Sequence, residues 1–526
     1  MTLTGWFLFF LILQLIHFAG TWKLYQKAGR KAWEALVPVY NALVLMKIIN
    51  RPWWWAVLLF IPIVNLMMLL VIWVETARSF GKNSTSDTWL TVLTLGFYIY
   101  YINYALDVKY IENRSLHPKT ASGGWVNSLL FAIIAATLVH TYFMQPYIIP
   151  SSSLEKSLLV GDFLFVSKFH YGARAPMTTI AAPMVHDSLP GLGIKSYVFN
   201  DNISKKHTSW LNKFQLPYFR LPGLQKIKRN EIVVFGQPAD TLRDMNDFHP
   251  DRNYYKPVDK KTNLVKRCVG IPGDSLEIRD GYVYINGKRP QLPDRAEIQY
   301  SYIVKTNGSE LNRPYMYQRF DVTDPFGRMQ DGSYHFTALT EENAARLAKT
   351  PNVVSVERII EPAGSPNPRI FPNTRNNTWS GDNFGPIYIP EKGKTVPLTP
   401  QTLPLYKRII REYENNTLET KEGQILINGK QADSYTFKQD YYWMMGDNRD
   451  NSIDSRYWGY VPYNHVVGKP VLIWMSWDKE SKRIRWDRVL STVHGTGKRV
   501  SYFPHFAIVL AGWFVYSYIR KRKKKK

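Results

Sequence analysis

At 526 residues with a formal net charge of +25, the chain is strongly basic and too long for one ordinary domain. Its lysines and arginines are dispersed and no nucleic-acid module is present, so the charge does not point to nucleic-acid binding. The single cysteine, Cys268, excludes an internal disulfide, and no Cys/His spacing suits a metal.

The 45% apolar content is segregated, with long runs lying before Ser151 and after Val500. Leu3–Trp22 has the length a helix needs to cross the hydrocarbon core, about 20 residues. No basic stretch precedes it and no small-x-small site follows it, so it reads as an uncleaved span and not as a signal peptide. Pro52–Trp73 opens on tryptophans that suit a headgroup interface, and Trp89–Leu106 is shorter and tyrosine-rich. Together these runs predict an N-terminal membrane module over 1–107 with about three spans. Trp125–Met144 predicts a further transmembrane anchor, over 125–147. Phe503–Ile519 predicts a C-terminal span over 503–519, with a basic cytoplasmic tail over 520–526. Basic residues concentrate in Trp22–Arg51, in Asp107–Gly124 and in that tail. The positive-inside bias puts all three in the cytoplasm and the large middle region outside.

The middle region reads as mostly β. Strand-like runs are Phe163–Ser167, Glu231–Phe235, Val265–Gly270, Tyr282–Ile285, Tyr442–Met445 and Pro470–Trp474, broken by Gly, Pro, Asn and Asp turns. The clearest helix is Glu341–Lys349. Leu276–Pro290 and Leu418–Ala432 share a strand–turn–strand–Asn-Gly-Lys pattern, which fits two unrelated hairpins or one hairpin split or duplicated by an insertion. The expected organisation is a core in two parts, 148–290 and 418–500, around an inserted non-catalytic subdomain over 291–417 that carries no chemical motif.

Three blocks carry chemistry. Ser151-Ser152-Ser153 follows the fourth apolar run closely and precedes an apolar strand. Lys266 sits in Leu264–Leu276, where strand alternation would bury it on the core face while Arg267 faces out. Burial disfavours an ammonium, and a neutral amine can take a proton from a serine hydroxyl. The third block, Gly446–Pro462, is dense in Asp, Asn, Arg and Ser and could orient such an amine. It lacks the Gly and Glu offsets of a calcium loop, so no metal is expected.

In this order the blocks resemble the bacterial signal peptidase I family. Lys228–Phe235 is similar to its R-G-D-I-V-V-F strand, VKRCVGIPGD to its K-R-V-x-G-x-P-G-D box, and GDNRDNSIDSRYWGYVP to its G-D-N-R-x-x-S-x-D-S-R-x-W-G box. The resemblance implies a multi-span α-helical membrane anchor plus a mostly-β extracytoplasmic catalytic domain (a signal-peptidase/LexA-like β fold) with a large inserted subdomain. It also implies cleavage of signal peptides from exported preproteins at the outer, periplasmic face of the bacterial inner membrane, with lipid as the other partner and no cofactor. By position, Ser153 corresponds to the nucleophile and Lys266 to the general base. Ser151 corresponds to the oxyanion-hole hydroxyl, and Ser452 to a serine bonded to the lysine. Asp447, Asp454 and Arg456 correspond to supporting residues. The chain departs from the pattern P-S-x-S-M-x-P-T: Ser152 stands for the usual Gly, Leu154 for Met and Lys156-Ser157 for Pro-Thr. Ser153 is chosen among the three serines because it keeps the spacing to the LLVGDF strand. A non-catalytic membrane-anchored binding protein and a Ser/Lys maturation peptidase with fewer substrates fit the same residues.

Overall fold

The computed structural model describes residues 2–117, 120–206, 208–238, 255–364 and 367–523. They divide into two compact units. One comprises Met1–Phe143, Arg174–Leu221 and Asp240–Lys261, and the other Met144–Ala173, Pro222–Ala239 and Thr262–Lys526.

The first unit is built on helices. Leu3–Lys27 forms one helix of 25 residues, capped by the Thr2 side chain, which accepts from the Gly5 N–H. The second predicted span is broken, into Trp55–Leu58 and Val64–Ser79. Between them lies Pro62, which has no N–H to donate, and Ile63 adopts a φ of 69°. The third is also broken, into Thr85–Leu93 and Tyr98–Tyr104, at Leu95 (φ 50°) and Gly96 (φ 85°). Buried Glu75 accepts from Arg51 at 2.8 Å and from Arg114 at 2.5 Å, so its charge is neutralised inside the unit. The fourth run is helical over Ala121–Leu138, turns through Val139–Phe143 and becomes strand from Met144, short of the predicted limit at 147. Among the described residues, two helices are long and apolar enough to cross a membrane, Leu3–Lys27 and Ala121–Phe143.

The second unit is mostly β. Its main sheet runs, in spatial order, Met144–Ile148, Asp162–Ser167, Val466–Asp478, Ile232–Gly236, Asn263–Gly270, Tyr441–Met445 and Val461–Pro462. All six predicted strands form, and the predicted helix forms over Glu341–Ala348, where Thr340 accepts from the Asn343 N–H. Ile149, Leu154, Leu158, Leu164, Val166, Ile232, Val234 and Ile473 pack into one buried cluster, which anchors the serine-rich turn to the sheet.

The two echoing segments are the same local structure. Asp280-Gly281 and Glu422-Gly423 turn with positive φ at both residues, as do Asn286-Gly287 and Asn428-Gly429. These are the primed turns that match strand twist. The Asn286 and Asn428 side chains accept from the Ser275 and Thr417 N–H groups at 2.9 and 3.0 Å, at equivalent positions. Leu276, Ile278, Ile285 and Ile425 share one buried cluster.

Residues 291–417 do not form a single separate body. Gln299–Thr306, Phe326–Arg328, Tyr334–Thr340 and Val353–Arg358 make a four-stranded sheet with its own core, including Tyr300, Val304, Phe336 and Leu347. Phe384–Tyr388, by contrast, pairs with Ser275–Arg279, and Phe371, Ile389 and Ile410 belong to the same core as Trp443. The C-terminal helix, Phe503–Lys523, extends through the first basic residues of the tail, and 524–526 lie outside the described residues.

Candidate active site

The serine-rich turn is a short 3₁₀ segment, Ser152–Leu154, entered from extended Ser151. Ser153 and Leu154 are buried, whereas Ser151 is exposed. Opposite lies the strand Asn263–Gly270, in which Lys266 pairs with Val233 of the neighbouring strand. Lys266 Nζ donates to Ser153 Oγ at 2.5 Å, joining two residues 113 positions apart. Burial pushes the Lys266 amine down from 10.5 to about 8, against the opposing pull of the Asp454 and Asp447 carboxylates.

Arg267 does not face out, as simple alternation would have it. It is 2% exposed, because this strand is covered on both faces. Asp447 accepts from its Nε at 2.8 Å and its Nη2 at 2.5 Å, while the Asn230 carbonyl accepts from Nη1 and Ser157 Oγ from Nη2. This fork-on-carboxylate geometry makes burial of both charges tolerable.

Gly446–Pro462 wraps the site from the strand Tyr441–Met445. Asp454 caps the short helix Ser455–Trp458 and accepts from Arg456 Nε and Nη2, each at 2.9 Å, and from the Gly446 N–H at 3.0 Å. Burial pushes the Asp454 carboxyl up, but the Arg456 guanidinium, these hydrogen bonds and Lys266 hold it below its usual range. Arg456 also donates to the Arg449 carbonyl. Gly446 is required by close approach, since a Cβ there would lie 2.2 Å from Ser452 Oγ and 2.6 Å from the Ser153 carbonyl oxygen. Ser452 differs from expectation. Its Oγ is buried beside this glycine without a hydrogen-bond partner, so the bond to Lys266 implied by the resemblance is not formed.

The geometry thus brings together Ser153, Lys266, Asp447, Ser452, Asp454 and Arg456. Residues 122–344 and 392–477, more than half of the chain, match the family described as signal peptidase, peptidase S26. The chain belongs to that family. It is therefore a serine endopeptidase, with a mostly-β catalytic domain. Signal peptidase I of Buchnera aphidicola subsp. Acyrthosiphon pisum is 24% identical over 72% of this chain and 85% of its own length. Signal peptidase I of Haemophilus influenzae is 22% identical over 73% and 79%, and that of Helicobacter pylori (strain 26695) 23% over 73% and 96%. Residues 33–113, within the helical unit, match a family of unknown function, DUF5684. The S26 match extends well beyond the motif blocks and includes 291–344 and 392–417 of the predicted insertion, leaving 345–391 unmatched.

Several groups at the site were not singled out by sequence reasoning. Asn448 donates from its backbone N–H to the Ser153 carbonyl at 3.2 Å and from Nδ2 to the Ser152 carbonyl at 3.2 Å. Asn451 Nδ2 donates to Ser152 Oγ at 2.9 Å. Both asparagines lie inside the box already read as functional, so the signal was present but their partners were not. Asp324, which accepts from both, lies where the sequence offers no motif.

Proposed function

We propose that the enzyme removes N-terminal signal peptides from exported preproteins after small-x-small sites, with Ser153 as nucleophile and Lys266 as general base. The observation that carries this reading is the 2.5 Å contact between a buried lysine Nζ and a buried serine Oγ. In its neutral form the amine takes the hydroxyl proton as Ser153 Oγ attacks the scissile carbonyl. The Ser153 N–H and the Ser151 hydroxyl meet the developing oxyanion. Lys266, now protonated, returns the proton to the leaving amine, and water then releases the acyl group from Ser153. Asp447, Asp454 and Arg456 fix the loop and the charge balance around the amine, and Ser452 lines it. Extended substrate would add as a strand, with alternate small side chains packed against the domain.

The reading includes a multi-pass anchor in the bacterial inner membrane, with the catalytic unit on the outer face. Its support is the two long apolar helices and the basic stretches Trp22–Arg51, Asp107–Gly124 and Arg520–Lys526, whose charge suits a cytoplasmic face with anionic headgroups. The test is side-by-side cleavage of a precursor bearing an A-x-A site. Wild-type protein should shorten it, while Ser153→Ala and Lys266→Ala should each lose nearly all turnover without additive losses. Normal processing by either variant would overturn the dyad. Protease added to intact spheroplasts should digest the catalytic unit, and protection there would overturn the orientation.

A further inference from the structure

Of the four residues of the nucleophile turn that depart from the family pattern, two, Ser152 and Lys156, reach the same short stretch, Asp321–Asp324. Lys156 Nζ lies 2.8 Å from Asp321 Oδ2 and donates to Thr323 Oγ1 at 3.3 Å. Ser152 is hydrogen-bonded to Asp324 and accepts from Asn451 Nδ2 at 2.9 Å. The helix Arg313–Phe320 ends on Asp321 in the left-handed conformation (φ 51°), and Asp321–Asp324 follows directly. Lys156 itself has a φ of 70°, which a proline ring cannot adopt. The turn after the nucleophile therefore takes a path closed to the family's usual residue, and Asp321 holds it there.

Asp324 has the larger consequence. It is 6% exposed and accepts from Asn448 Nδ2 at 2.9 Å and from Asn451 Nδ2 at 3.1 Å. Asn448 Nδ2 in turn donates to the Ser152 carbonyl at 3.2 Å. That carbonyl and the Ser153 N–H belong to one planar trans peptide, so they point in opposite directions. Fixing the carbonyl fixes the direction of the N–H. An isolated parallel bridge joins Gln299 and Asn448, which ties the same loop to the strand Gln299–Thr306.

We propose that Asp321–Asp324 is a positioning element for peptide-bond cleavage. Asp324 orients the Ser152–Ser153 peptide through Asn448, and holds the Ser152 hydroxyl through Asn451, and so aims the Ser153 N–H at the oxyanion. Asp321 holds the turn beyond it through Lys156. This rests on Ser153 being the nucleophile. Asp324 touches no reacting atom and acts through the two asparagines.

The test is cleavage of the A-x-A precursor by the full-length enzyme in detergent, with Asp324→Asn, Asn448→Ala and the double variant. Asp324→Asn should lower kcat by about 10- to 100-fold, a fraction of what losing one oxyanion donor costs. KM should stay within about twofold and the pH midpoint should not move, because the setting of Lys266 is untouched. The double variant should be no worse than the poorer single one. Unchanged kcat, a loss confined to KM, or additive losses would overturn the proposal. Should Asp324→Asn fail to fold, the Lys156–Asp321 pair decides. Lys156→Asp should lower kcat, and Lys156→Asp with Asp321→Lys should restore it at least partly. Failure of that swap to rescue would overturn the Asp321 contact. Ser153→Ala, run in parallel, separates the two ideas: cleavage by that variant defeats the dyad, whereas normal kcat in Asp324→Asn with Ser153→Ala inactive defeats the positioning element alone.

Discussion

Cleavage must follow deprotonation of Lys266 if this amine is the base. Burial holds it near 8 instead of 10.5. At pH 7 about 10% of it is therefore neutral, against roughly 0.03% for an exposed lysine, a gain of about 300-fold in the reactive form. The steady-state rate constant kcat/KM for an A-x-A precursor, measured in detergent between about pH 5 and 10, should rise about tenfold per pH unit at first and level off above about 8. Lys266→Arg keeps the cation and its N–H donors but cannot lose a proton in this range. It should be inactive by about four orders of magnitude throughout. The same displacement has a stability side, and its sign is opposite to that of a lysine gaining a partner. Between about 8 and 10.5 the unfolded chain keeps a proton that the folded chain has lost, so stability rises with pH across this window. Below it, the buried ammonium costs up to about 3 kcal/mol. Lys266→Met should recover part of that at pH 7, seen as a later denaturation midpoint, while abolishing cleavage. A flat pH profile, a midpoint near that of an ordinary histidine, or an Lys266→Arg enzyme within tenfold of wild type would refute the neutral-amine argument.

Asp454→Asn removes the carboxylate that most opposes the fall in the Lys266 pKa, so the acid limb should move to lower pH. An unmoved limb would show that this charge is not felt at the amine. Arg267→Ala strands the fully buried Asp447 charge and should destabilise the catalytic unit by about 3–5 kcal/mol in denaturant titrations. Less than about 1 kcal/mol would mean that water reaches the carboxylate. Gly446→Ala must displace both Ser452 and the Ser153 carbonyl, and should lose cleavage even where thermal unfolding shows a folded protein. Lys156→Pro restores the family's residue at a backbone angle it cannot reach, and should lower activity and cost about 3 kcal/mol or more of stability. Higher activity in that variant would mean that the turn relaxes freely.

The elements best legible in the sequence were those whose evidence is local. Alternating apolar residues between Gly, Pro and Asn turns located the strands of the main sheet, and the matched Asp-Gly or Glu-Gly and Asn-Gly pairs of the two hairpins carried their turn geometry outright. Local periodicity misled where an interruption overrode composition. Pro52–Trp73 has the apolar content of a span but breaks at Pro62, and Trp89–Leu106 breaks at Gly96. Arg267 misled for a different reason: alternation assigns one face to solvent, but this strand is covered on both sides, and only Asp447, 180 residues away, makes the second buried charge tolerable. Separation along the chain also hid the site. Ser153 and Lys266 were found through the resemblance of their flanking boxes, not through anything in either stretch that specifies a 2.5 Å contact. Asp324 has no such flank. It meets Asn448 across 124 residues, and Asn448 in turn meets the Ser152 carbonyl across 296. A residue that works by holding another residue's amide needs no motif of its own, only a fold that delivers it. For that reason the stretch around Asp324 read as empty of chemistry in the sequence while bringing carboxylates to the serine-rich turn in the structure.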